Sequence, residues 1–297
     1  EGEIAAPRLV RAYIDKDFSR IINEKGLIYK KDYNSEFIYQ RGHNVIKDLD
    51  SVPMPAFELL RDESRPFSYR IFTARGCSSA CSFCAPSYVS GHRLRKISPE
   101  KVIESILKIK NNYKAESFLL GDLTFLDDRE HGKEVLNRII EEGIDLPFWC
   151  QTRLDRITSE NVDLLARAGC RQLAVGIETY NDSILNMVNK GISVDDIVRK
   201  LFMVKESGLQ LQVYFIVGLP GETRENIEKT IRFIEYSVRK ALLDLTHISI
   251  YVPYPGLPVP KGVNIVDHNY NHYYQGVFLD MPPVPVYETQ DLNRDMI

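Results

Sequence analysis

From residue 68 onward the chain alternates between short apolar runs and amphipathic stretches of helical length, and this alternation restricts the fold more than any other feature of the sequence. Residues 67–74, 118–120, 147–150, 172–177, 209–219 and 248–252 read as strands. The run Val213-Tyr214-Phe215-Ile216-Val217 is apolar throughout, as expected of a strand covered on both faces. Helices fit between them. Ser98 opens one with Pro99 at its first position, and Val102, Ile103, Ile106 and Leu107 share a face. Another spans about residues 130–142 and stops near Gly143. Thr158 opens a third, which stops at Gly169. Ser193 and Asp196 frame a fourth, apolar at Val194, Ile197, Val198 and Leu201. Thr223 caps a fifth with Ile227, Ile231 and Ile234 on one side. Strand–helix repetition with right-handed crossovers builds a parallel α/β barrel, and these units are too few for eight-fold closure. The expected fold class is therefore α/β: an open, partial (β/α)6 barrel over residues 61–256, with chemistry at the C-terminal strand ends.

The first of those ends carries Gly76-Cys77-Ser78-Ser79-Ala80-Cys81-Ser82-Phe83-Cys84. Of 5 cysteines, three crowd into this loop, while Cys150 and Cys170 stand apart in sequence and have core packing as their default. An odd count in this pattern suits metal binding in a reducing compartment better than disulfides. Iron–sulfur clusters are usually held by four thiolates, so three leave one iron without a protein ligand, and an open coordination position is what a catalytic metal site needs. A zinc site made from the same cysteines and His92 is the alternative on spacing alone.

The loop resembles the defining motif of the radical S-adenosylmethionine (SAM) enzymes, C-x3-C-x-aromatic-C, with Phe83 in the aromatic place. The resemblance covers about residues 68–256. It implies a [4Fe-4S] cluster on Cys77, Cys81 and Cys84, SAM chelating the open iron, reductive cleavage of SAM to a 5′-deoxyadenosyl radical, and hydrogen abstraction from substrate. Other strand ends are similar to family positions. Gly121-Asp122 stands where the family places a Gly-Glu-like motif beside the SAM amino group, with Asp in place of Glu. Gln151-Thr152-Arg153 looks like a polar motif near SAM, although Arg153 could equally pair with Asp155 or Glu160. Gly176-Ile177-Glu178 resembles Gly-x-Glu, whose carboxylate accepts from the ribose hydroxyls or the ammonium. Gly218 begins a glycine turn that the family sets against adenine, and an ordinary strand-to-helix turn is the alternative. Tyr254 belongs to Tyr251-Val252-Pro253-Tyr254-Pro255-Gly256, similar to Pro-Tyr-Pro-Gly-Thr but with Leu257 in place of Thr. No residue is assigned as catalytic.

Residues 1–60 differ from the rest. A short helix is expected near Leu9–Ile14, and Leu49-Asp50-Ser51-Val52-Pro53-Met54-Pro55 reads as an extended connector, since proline disfavours helix in the residue before it. Glu1-Gly2-Glu3 and this connector resemble the junction in radical SAM proteins that carry an N-terminal cobalamin-type Rossmann domain. The chain is thus expected to be part of a longer protein, with cobalamin, where used, held by a domain outside it; no cobalamin ligand is identifiable here. Residues 257–297 are read as an extension ending inside a helix at Ile297. In it, His268, Tyr270, His272, Tyr273 and Tyr274 are expected to pack in the core under the barrel mouth, with contact to substrate as the alternative.

A net charge of −3 gives no bulk attraction to nucleic acid or anionic membrane, and the basic stretch Arg93, Arg95, Lys96 reads as a solvated loop. No apolar run reaches the ~18 residues of a membrane span, and a cytoplasmic location is expected. The resemblance implies a small organic substrate, reactions such as C-methylation, dehydration or rearrangement, and an electron donor such as flavodoxin or ferredoxin. A tRNA or protein modifier of the methylthiotransferase kind would need an RNA-binding module or a second cluster, and neither is visible.

Overall fold

A computed structural model describes residues 1–40, 42, 44–60, 68–254, 256–269 and 285–297. Phe67, Pro255, Tyr270, His272, Tyr273 and Tyr274 lie outside the described residues. The chain divides into two units, Glu1–Pro55 and Ala56–Ile297.

In the first unit, α1 runs over Gly2–Asp15, longer than the helix expected from its apolar residues, and includes Pro7. Its end is set by Lys16, whose left-handed backbone (φ 54°) turns the chain. β1 (Ile28–Tyr29) and β2 (Ile38–Tyr39) form an antiparallel pair. The stretch expected to be wholly extended begins instead with a 3-10 turn at Leu49–Ser51, because the Asp48 side chain accepts from the Asp50 amide at 3.0 Å.

The second unit holds β3 (Ser68–Ile71), β4 (Ala74–Arg75), α2 (Ala85–Val89), β5 (Arg95–Lys96), α3 (Pro99–Tyr113), β6 (Ser117–Leu120), α4 (Arg129–Glu141), β7 (Phe148–Arg153), α5 (Ser159–Arg167), β8 (Cys170–Glu178), α6 (Asp182–Met187), α7 (Val194–Glu206), β9 (Gln210–Val217), α8 (Arg224–Arg239), β10 (Leu245–Ile250), β11 (Val263–Ile265) and β12 (Tyr287–Thr289). Six strands make one parallel sheet in chain order, β3-β6-β7-β8-β9-β10, and its two edges do not meet, so the barrel is open. α3, α4, α5 and α7 pack side by side against one face. Leu173, Val175, Ile177, Leu211, Val213 and Phe215 are almost wholly buried. At ~1.5–3 kcal/mol for each such side chain, they hold sheet and helices together.

Local chemistry fixes the helix starts. Ser98 caps α3 and Ser193 caps α7, each accepting from the amide three residues on, while Thr158 and Thr223 form reciprocal capping boxes with Asn161 and Asn226. Several expectations are corrected. The strand expected to end at Ala74 breaks after Ile71, and β4 instead pairs antiparallel with β5, closing a hairpin around the cysteine loop. Arg95 and Lys96 are therefore strand residues rather than loop, and Lys96 pairs with Asp128 at 2.6 Å. α8 buries Thr230, Phe233, Ile234 and Ser237, while Ile231 is 41% exposed. The last residues form turns, not a helix, and His268 is exposed. Cys150 and Cys170, distant in sequence, meet across β7 and β8: the Cys150 thiol is pushed well up by its hydrogen bond to Cys170 and then by burial. No helix among the described residues is long and apolar enough to cross a membrane.

Candidate functional site

The hairpin of β4 and β5 delivers the cysteine loop to the C-terminal edge of the sheet. Gly76 starts it at φ +97°, and a side chain there would run into the Arg93 carbonyl, so glycine lets the two arms of the hairpin close. Asp127 anchors the loop, accepting from the Ser78 amide at 2.6 Å and its hydroxyl at 2.8 Å. The Ser82 amide donates to the Val188 carbonyl at 3.1 Å.

Cys77, Cys81 and Cys84 open on one cavity of about 260 Å3. Gln151 and Arg153 reach it from β7, Ala174, Gly176 and Glu178 from β8, Tyr214 from β9, with Leu123, Thr124 and Phe83 completing the wall. Among the described residues, no three His, Cys, Asp or Glu side chains converge tightly enough for a single metal ion. Three thiolates on one cavity match the cysteine donor set of an iron–sulfur cluster, in which each would bind its own iron. His92 is exposed, and its Nδ1 lies 2.9 Å from the Ser79 carbonyl.

Each sulfur meets a polar neighbour. Cys77 Sγ lies 3.6 Å from Thr124 Oγ1, and Cys84 Sγ 3.1 Å from Ser87 Oγ. Arg153 donates from Nη1 to Cys81 Sγ at 2.8 Å, from Nε to Asp155 Oδ1 at 2.8 Å, and from Nη2 to the Lys190 carbonyl. Burial pushes the Cys81 thiol up, opposed by the Lys190 and Arg153 cations. Arg153 thus pairs with Asp155 and also lines the cavity, while Glu160 pairs with Lys133 at 2.9 Å. Glu178 sits at a bulge with φ 74°, a left-handed conformation costing a non-glycine residue ~1–3 kcal/mol. Its Oε1 is 2.5 Å from Lys190 Nζ, both groups buried. Lys190 Nζ also lies 5.7 Å from the centre of the Phe83 ring. Thr152 Oγ1 is buried without a hydrogen-bond partner beside these groups.

Four expected site residues do not reach the cavity wall. Asp122 is fully buried and accepts from the Thr73 and Ala74 amides, at 2.8 and 3.1 Å, and from the Thr73 hydroxyl. It locks the chain beyond β3 to the end of β6, and burial raises its carboxyl to about 6. Gly121 is glycine because the Arg70 and Phe72 side chains pack where its Cβ would stand. Gly218 (φ +78°) donates its amide to Glu222 at 2.8 Å, and its carbonyl accepts from the Tyr287 hydroxyl. Tyr254 is half-buried, its amide donating to the Val252 carbonyl at 2.9 Å. Sequence reasoning missed Lys190, Thr124, Asp127 and Glu222. For Lys190 a signal existed: Asn189 and Gly191, both at positive φ, flank it in a tight turn.

A separate hollow of about 430 Å3 lies within residues 1–55, walled by Pro7, Ala12 and Ile21. Two ion pairs line it, Arg8 with Glu24 and Arg20 with Asp17, and Arg11 and Asp15 also reach it.

Against known proteins, the model of the Radical SAM superfamily matches residues 71–234. An uncharacterized methyltransferase of Pyrococcus horikoshii is 30% identical over 262 residues, 86% of this chain and 55% of that protein. The anaerobic magnesium-protoporphyrin IX monomethyl ester cyclase of Cereibacter sphaeroides is 27% identical over 87% of this chain and 43% of its own. The chain therefore spans about half the length of the curated relatives it matches. Among solved structures, the cobalamin-dependent S-adenosylmethionine radical enzyme OxsB superposes with a TM-score of 0.64 at 20% identity, covering 79% of this chain and 35% of that one. The radical S-adenosylmethionine methyltransferase TsrM from Kitasatospora setae, solved with cobalamin and a [4Fe-4S] cluster bound, gives 0.57 at 22%, covering 67% and 39%. At these identities the likeness shows a shared fold.

Proposed function

The chain belongs to the radical SAM superfamily, and on that premise we propose that Cys77, Cys81 and Cys84 hold a [4Fe-4S] cluster, that SAM binds beside it in the strand-end cavity, and that a small organic substrate is the hydrogen donor. One observation carries this reading: the three motif cysteines share a cavity with Gln151, Arg153 and Glu178, which come from adjacent parallel strands. When bound, the cluster and SAM supply one-electron chemistry, namely reductive cleavage of the SAM sulfonium and abstraction of a hydrogen atom from substrate.

The chain's own residues bind, orient and shield. The three thiolates would hold the cluster and leave one iron for SAM. Glu178 turns its carboxylate to the cavity, placed to accept from ribose hydroxyls or an ammonium, while Lys190 pairs with it in a buried setting. Thr152 Oγ1 offers a polar contact that no protein group uses. Phe83, Leu123 and Tyr214 give apolar wall that limits water.

The names of the relatives favour methylation, with ring formation as a second outcome for the substrate radical. Cobalamin, where required, would come from a domain outside this chain, and the electron from a donor of the flavodoxin or ferredoxin type. The test is anaerobic reconstitution with iron and sulfide, reduction, and mass spectrometry for 5′-deoxyadenosine with SAM present. The expected result is product in the wild type and none in Cys84→Ala. Zinc-loaded protein with no product would overturn the reading. Glu178→Ala is expected to weaken SAM binding while cluster absorbance persists, and unchanged affinity would count against its role.

A further inference from the structure

The three sulfurs do not meet equal neighbours. Cys77 and Cys84 face neutral hydroxyls, Thr124 Oγ1 at 3.6 Å and Ser87 Oγ at 3.1 Å. Cys81 faces a guanidinium, Arg153 Nη1 at 2.8 Å. Arg153 is 8% exposed and held on its other nitrogens by Asp155 and the Lys190 carbonyl, so the side chain cannot rotate away without breaking both. Lys190, the other buried cation here, pairs with Glu178 at 2.5 Å. Arg153 is therefore the cation aimed at sulfur.

We propose that Arg153 sets the reduction potential of the cluster by holding a fixed positive charge and a hydrogen bond on one of its thiolates, Cys81. This rests on the cluster reading above. Reduction adds one electron, supplied by an external one-electron donor, and no bond forms or breaks; the cluster with its thiolates becomes more negative by one charge. A donor at sulfur and a nearby cation stabilise that more negative state, and hydrogen bonds to sulfur and local charge are recognised determinants of cluster potential. Guanidinium only donates and stays charged in proteins, so the sign of its effect is fixed. Burial strengthens it by lowering the local dielectric. Asp155 opposes it, since its carboxylate partly neutralises the guanidinium.

The experiment is a potentiometric titration of the anaerobically reconstituted chain, with dithionite as reductant and the reduced cluster read by electron paramagnetic resonance. R153Q is expected to keep its iron content but to show, at a given ambient potential, about a tenfold lower ratio of reduced to oxidised cluster, equivalent to ~59 mV more negative for a one-electron couple. T124V, which removes a neutral donor from Cys77, is expected to move it several-fold less. D155N is expected to move it in the opposite direction. A cluster whose potential is unmoved in R153Q, or in D155N should R153Q not assemble one, overturns the role of Arg153 while leaving the cluster reading intact. A T124V shift as large as that of R153Q does the same. Failure of the wild type to assemble any iron–sulfur cluster overturns the reading beneath the proposal.

Discussion

Asp122 and Glu178 are both buried acids at strand ends, and their surroundings give them different work. Asp122 has hydrogen-bond donors but no cation, and burial raises its carboxyl from 3.8 to about 6. The folded state then holds the proton more tightly than the unfolded one. Its contribution is most favourable below pH ~4, falls as pH rises to about 6, and stays at its least favourable above that. Asp122→Asn is expected to flatten that segment of the stability curve, checked by urea midpoints between pH 4 and 7; an unchanged slope would contradict the assignment. Glu178 has Lys190. Lys190→Met is expected to cost about 3–5 kcal/mol by leaving a buried carboxylate unpaired, and Lys190→Met with Glu178→Gln to recover most of it, since removing both members of a buried pair costs far less than breaking it. A double-variant loss equal to the sum of the two single losses would show that the pair does not couple.

Elements are where local signals read best. The caps at Ser98, Thr158, Ser193 and Thr223 are legible because each depends on residues three positions apart, and the six sheet strands because an apolar run needs no distant information. Thr223→Ala is expected to lower stability by ~1 kcal/mol, measured by thermal melt, with α8 retained in circular dichroism. What could not be read is non-local. The β4–β5 hairpin pairs Ala74 with Lys96 across the whole cysteine loop. α6 is six residues squeezed between the bulge at Glu178 and the Asn189-Lys190-Gly191 turn. Asp122 puts an acid at the motif position, with Asp in place of Glu, yet only the hydrogen bonds to Thr73 and Ala74 reveal that it faces into the protein. Gly218 likewise reads as a ligand glycine until Tyr287, 69 residues on, is found on its carbonyl.

At the scale of the molecule, an open parallel sheet covered by helices on one face leaves its other face and C-terminal edge free to form a cavity, and the cysteine loop closes over that edge. The central claim is that three thiolates hold a cluster with one iron open to SAM. It is tested most directly by electron paramagnetic resonance of the reduced, reconstituted protein with and without SAM, alongside iron and zinc analysis. The expected result is a [4Fe-4S] signal whose shape changes when SAM is added, and no such signal in Cys81→Ala. A signal indifferent to saturating SAM, or stoichiometric zinc in place of iron, would contradict the account.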